Sequence, residues 1–122
     1  MNQIEIINEQ NGVRKDLAGR GWSVDLISKD TCDARSMMLG ISTLKAGSTT
    51  RTVVHETEEL CYVISGTGAV TDGVKTNRFR EHDAIYFPAD VPHTIVCDPE
   101  YDVVMLFTFP TTTFPPTRIL KD

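Results

Sequence analysis

His55, Glu59 and His93 are the residues of this chain whose types suit coordination chemistry. Two imidazoles and one carboxylate fit a divalent first-row metal, and three ligands on one side leave positions open for water, oxygen or substrate. Strand side chains alternate between faces, so residues of like parity share a face. In "RTVVHETEELCYVISGTG", residues 51–68, Val53 and His55 share one face of a strand, and Glu59, Cys61 and Val63 share a face of the next. His93, Ile95 and Cys97 share a face further on. If those three faces line one barrel interior, His55, Glu59 and His93 converge. The simpler alternative is a His55–Glu59 bond near a strand end, with His93 in a loop. Local pattern leaves both open.

Other side chains near this trio carry candidate roles. Arg51 has the parity of Val53 and His55, so it can face the barrel mouth and orient a substrate carboxylate; an exposed strand-end arginine is the plainer reading. A reaction needs a proton shuttle, and Tyr86 and Cys61 are the candidates. The turn Pro88-Ala89-Asp90 leaves the face of Tyr86 open. Cys61 is expected to face inward as a soft ligand, a thiolate or a small buried hydrophobe. Glu56 and Glu58 have the opposite parity from Glu59 and read as a solvated rim, although a bulge in the turn would make Glu58 a rival ligand. Met38, Met105, Phe107 and Phe109 read as a pocket wall or ordinary core.

The elements that must position these residues read as strands. Short runs rich in Val, Ile, Thr, Phe and Tyr are bounded by Gly, Pro, Asp or Asn. They fall at Gln3–Ile7, Trp22–Ser28, Met38–Leu44, Thr52–His55, Glu59–Ile64, Gly68–Thr71, Thr76–Arg80, Ala84–Phe87, His93–Cys97 and Val103–Phe109. Such regular spacing predicts an all-β sandwich or barrel. Asp72-Gly73 marks a hairpin. Only Gly12–Leu17 has helical character, and the tail from Pro110 to Pro116 reads as an extended strap.

At 122 residues the chain is expected to form one domain that buries about two-thirds of its unfolded surface. A net charge of -5 gives nucleic acid or an anionic membrane no reason to bind. No apolar stretch reaches membrane-spanning length, and no signal-peptide pattern opens the sequence. Cys32, Cys61 and Cys97 are an odd set without CxxC spacing, as expected of reduced cysteines in a cytoplasmic protein.

The order Gly47, Val53, His55, Glu59, Gly66 resembles the first motif of the cupin superfamily, which reads Gly, His, His, Glu, Gly at the same intervals. His82, Pro88, Asp90, His93, Cys97 resembles the second, where Gly, Pro, Gly, His, Asn is usual. "EELCYVISGTG" and "DAIYFPADVPHTIV" are also cupin-like. The resemblance covers about residues 36–109 and implies a single-domain jelly-roll barrel. It further implies one divalent metal ion, Fe, Mn, Zn or Ni, on His55, Glu59 and His93, and a homodimer. Val53 stands where the first histidine is usual, so the four-ligand set is reduced to three; a cupin that keeps the trio as a metal-free polar pocket is the alternative. "ELCYVISGTG" and "LFTFP" are similar to the ectoine synthases within the family, whose ligating tyrosine aligns with Ile85 rather than Tyr86.

The expected activity is metal-dependent, non-redox chemistry on a small polar or carboxylate-bearing metabolite: elimination, cyclisation or isomerisation. An Fe(II)-dependent oxygenase and a non-catalytic small-molecule-binding cupin are the alternatives, since one fold hosts all three.

Overall fold

The structure, a computed structural model, describes residues 3–122. Alternating burial within the longer strands sets the architecture. In Val103–Phe109 every odd-numbered residue is buried, and in Glu59–Ser65 Cys61 and Val63 are buried while Leu60, Tyr62 and Ile64 are exposed. Each strand thus turns one face to a core and one outward.

The strands, in chain order, are β1 (Val13–Asp16), β2 (Gly21–Ile27), β3 (Met38–Leu44), β4 (Thr52–His55), β5 (Glu59–Ser65), β6 (Gly68–Thr71), β7 (Thr76–Phe79), β8 (Ala84–Phe87), β9 (Thr94–Cys97), β10 (Val103–Phe109) and β11 (Thr117–Lys121). One sheet has the order β1-β2-β3-β10-β5-β8. The two-stranded sheet β11-β4 and the three-stranded sheet β7-β6-β9 make up the opposing layer, joined by bridges at Thr49–Val96 and Val53–His93. Met38, Val63, Phe79, Phe87, Val103, Met105, Phe107 and Phe109 from both layers form one core, the arrangement of a jelly-roll barrel. Gly40 admits the Phe107 ring to this core, because a β-carbon there would lie 2.1 Å from the ring's Cζ.

Three expected elements differ. Gln3–Ile7 is not a strand: it joins no strand ladder among the described residues, and Ile4 and Ile6 stand in solvent. Gly12–Leu17 is not helical. Its residues 13–16 form β1 against β2, and only Glu9–Asn11 makes a short 3-10 turn. All four β1 side chains are exposed, so no apolar period marked the strand. The strap after Pro110 runs on into β11, which pairs antiparallel with β4, setting Thr117 opposite His55. The Asp72-Gly73 hairpin forms as expected between β6 and β7, with Gly73 at φ 94°. No described helix is long and apolar enough to cross a membrane.

Candidate metal centre

Each of the three expected ligands sits at the end of a strand, and the two layers bring them together. His55 closes β4 and Glu59 opens β5, opposite Phe87 of β8. His93 precedes β9 and exchanges two backbone hydrogen bonds with Val53, at 3.1 and 3.0 Å. The Asp90 N–H donates to the His55 carbonyl at 2.8 Å, which ties the turn before His93 to β4. One ligand atom from each of His55, Glu59 and His93 falls within 4.8 Å of the other two. Glu59 Oε1 lies 3.4 Å from His55 Nε2 and 3.7 Å from His93 Nε2.

Those separations are longer than the about 2.9–3.0 Å at which N–H···O hydrogen bonds are commonest. They are close to the spacing of ligands that share one ion at about 2.0–2.2 Å. The protons point the same way. His93 Nδ1 lies 3.3 Å from the Val91 carbonyl, which can only accept, so the His93 proton belongs on Nδ1. His55 Nδ1 lies 2.7 Å from the Thr117 hydroxyl, and that hydroxyl donates onward to the Pro115 carbonyl at 2.8 Å. With the hydroxyl proton committed to Pro115, His55 Nδ1 would be the donor in this pair. Both Nε2 lone pairs then face a carboxylate oxygen with no proton between them. With both Nε2 atoms and a carboxylate oxygen turned toward one another, the donor set fits a divalent metal.

Burial suits this chemistry. His55 and His93 are 6% and 7% exposed. Burial lowers the His93 pKa, with the neighbouring His55 acting the same way and Glu59 opposing; a neutral ring keeps its lone pair for a metal. Aromatic rings enclose the imidazoles. Phe87 lies 4.3 Å from the His93 ring, and Phe109 and Phe114 lie 5.1 and 5.5 Å from the His55 ring. A cleft of about 480 Å3 between β7 and β8, lined by Ile85, Phe87, Val91, Pro92 and His93 among others, leads to the cluster. A larger surface depression, about 730 Å3 around Arg80, His82 and Tyr101, touches none of the three.

The other residues singled out in the sequence fall as follows. Cys61 is buried beside the cluster, its Sγ donating to Glu59 Oε2 at 3.5 Å. Burial first, and then the Glu59 charge, push its pKa well above the usual thiol value, so it remains a thiol. Tyr86 stands on the outer face of β8, opposite Leu60, with its hydroxyl bonded to Glu58. It is not brought to the cluster. Ile85 holds the half-buried inward position instead, packed against the core. Arg51 makes an ion pair with Asp122, Nε to Oδ1 at 2.7 Å, at a half-exposed position. Glu56 and Glu58 are outside the trio, with Glu56 exposed on the rim. Sequence reasoning missed Thr117, Phe114 and the Val91 carbonyl. Only the pairing of β11 with β4 reveals the first two.

The barrel and its inward His-Glu-His cluster define a small β-barrel protein equipped to hold a metal. Residues 40–109 match the cupin domain family, and the chain belongs to it. An uncharacterized protein of Streptomyces coelicolor, SCO3923, is 36% identical over 59 residues; the match spans 48% of this chain and about half, 56%, of that relative. The polyketide cyclase RemF from Streptomyces resistomycificus superposes with a TM-score of 0.80 at 21% identity, covering 97% of this chain and 86% of that one. Oxalate decarboxylase from Bacillus subtilis gives 0.81 at 21% identity over 98% of this chain and 33% of its own. At these identities the solved structures show the fold.

Proposed function

We propose that this cupin is a metal-dependent enzyme that carries out non-redox chemistry, a cyclisation, elimination or isomerisation, on a small oxygen-bearing metabolite. One observation carries this reading: Nε2 of His55 and of His93 converge on Glu59 Oε1, while both Nδ1 atoms face other hydrogen-bond partners. A polyketide cyclase is among its fold neighbours, and cyclisation is one of the reactions proposed.

His55, Glu59 and His93 would hold one ion of Fe, Mn, Zn or Ni, and a bound ion supplies Lewis-acid polarisation of a substrate oxygen. The Cys61 thiol holds Glu59 by its second oxygen, which leaves the first turned toward the imidazoles. Phe87, Phe109 and Phe114 keep water away and strengthen every charge interaction inside. The cleft beside His93, with Phe87 among its walls, would receive the substrate. A second copy of the chain is the proposed partner, supported by apolar side chains left exposed on one sheet face and on residues 3–8.

The test is metal content per chain by mass spectrometry, on protein purified without affinity tag or chelator and again after anaerobic incubation with Fe(II), Mn, Zn and Ni. Near-stoichiometric metal, lost in His93→Ala, is expected. A chain that no ion fills overturns the reading in favour of a metal-free binding protein. Iron-dependent oxygen uptake with a substrate would make it an oxygenase.

A further inference from the structure

His55 owes its orientation to residues outside the stretch that matches the family. That match ends at Phe109, whereas Phe114, Pro115 and Thr117 lie beyond it. We propose that the C-terminal strand completes the metal centre, with Thr117 as a positioning residue that fixes His55 as the Nδ1–H tautomer and aims Nε2 at the ion. This rests on the metal-binding reading above.

A hydroxyl has one proton to give. Thr117 gives it to the Pro115 carbonyl at 2.8 Å, and its lone pairs then receive the His55 Nδ1 proton at 2.7 Å. The direction of this relay is set at its far end, because a carbonyl cannot donate. The relay is also held in place. Pro115 and Pro116 have φ fixed by their rings, and the Glu56 N–H binds the Pro116 carbonyl at 3.1 Å. Thr117 sits directly opposite His55 in the β11-β4 register. The Phe114 ring closes on the His55 ring, and Lys15 Nζ lies 5.3 Å from the Phe114 centroid on the surface.

The two imidazoles are thus oriented by different means. The His93 proton goes to a carbonyl only two residues away, at 3.3 Å. The His55 proton crosses 62 residues of sequence to a shorter bond. Outer partners of this kind fix tautomer and ring orientation, and losing one commonly costs about 10–100-fold in metal affinity.

Two measurements test the assignment. In the metal-free protein, long-range proton–nitrogen correlation spectra should show the His55 ring protonated at Nδ1 and bare at Nε2; an Nε2–H ring overturns it, with no variant required. Co(II) is then titrated into wild type, Thr117→Val, which keeps the shape and loses the hydroxyl, and Thr117→Ser, which keeps the hydroxyl. Valine should weaken Co(II) binding about 10–100-fold and alter the visible Co(II) spectrum, and serine should restore both. Equal affinity and spectrum in the valine variant overturn the role of Thr117 while the metal site stands. Equal losses in both variants, matched by lower metal-free stability, overturn it in favour of plain strand packing. Wild type that takes up no Co(II) removes the metal reading and this inference with it.

Discussion

His82 and Asp90 both occupy positive φ, at 73° and 63°, at positions where the family motif usually has glycine. The two residues tolerate this differently. Asp visits the left-handed region with less penalty than most side chains, and here the Asp90 N–H also binds the His55 carbonyl. His82 is stabilised by an exposed bond between its Nδ1 and the Tyr62 hydroxyl at 3.0 Å. An exposed side-chain bond contributes less than the about 1 kcal/mol or more that left-handed backbone costs a non-glycine residue. His82→Gly should therefore stabilise the fold by about 0.5–1 kcal/mol in denaturant unfolding, with metal content unchanged. A destabilised variant would mean that the Tyr62 contact outweighs the backbone strain. Asp90→Gly should change stability less than His82→Gly in either direction.

At the scale of elements, the β7-β6-β9 group is pinned at one end by Asp98. Its Oδ1 receives Arg78 Nη1 at 2.9 Å, and its Oδ2 receives Arg78 Nη2 and, at 2.6 Å, the Thr67 hydroxyl. The Arg78 guanidinium, and after it the Thr67 hydroxyl, lower the Asp98 pKa to about 2. An unfolded aspartate titrates near about 3.9. A lowered folded-state pKa gives stability that is complete above the unfolded value and is lost as pH falls through the folded one. Asp98→Asn should therefore have a lower Tm than wild type at neutral pH, and the two should converge as pH drops from about 4 to about 2. A gap that stays constant over that window would show that the pairing contributes no pH-dependent stability. The same scale explains what the sequence could tell. Parity asked only which face of its own strand each of His55, Glu59 and His93 takes; that the three faces converge depends on how the two layers meet, which no local pattern shows. Parity also bears on Tyr86, since Glu59 pairs with Phe87 and Leu60 with Tyr86, but only once the β5-β8 register is known. Thr117 was illegible because its role comes from β11 meeting β4, a pairing between distant segments that no local period encodes. Gln3–Ile7 shows the converse: it alternates like a strand, yet strand formation needs a neighbour, and its own chain offers none among the described residues.

For the whole molecule, one group of exposed apolar side chains lies on the outer face of the six-stranded sheet. Leu60, Tyr62, Ile64 and Tyr86 are exposed there, and the register sets Tyr62 beside Leu106, and Leu106 beside Ile41. A patch spanning several strands marks an interaction site more often than scattered apolar residues do. The N-terminal residues add a second feature. Glu5 accepts the Asp33 N–H at 2.9 Å, which anchors that segment to its own chain, while Ile4 and Ile6 remain 95% and 92% exposed. One chain thus carries a bare apolar face and an anchored segment presenting two bare isoleucines, the two surfaces on which the proposed pairing with a second copy can be tested. Light scattering should therefore give twice the 13.6 kDa chain mass. Ile4→Asp with Ile6→Asp should shift the protein toward monomer, as should Leu60→Lys with Tyr62→Lys, and neither pair should change metal content, because His55, Glu59 and His93 lie between the sheets. Dissociation by the sheet-face pair alone would confine the interface to the β-sheet and leave residues 3–8 outside it. A wild-type chain that stays monomeric at high micromolar concentration would rule out the self-pairing and leave the face to a different partner.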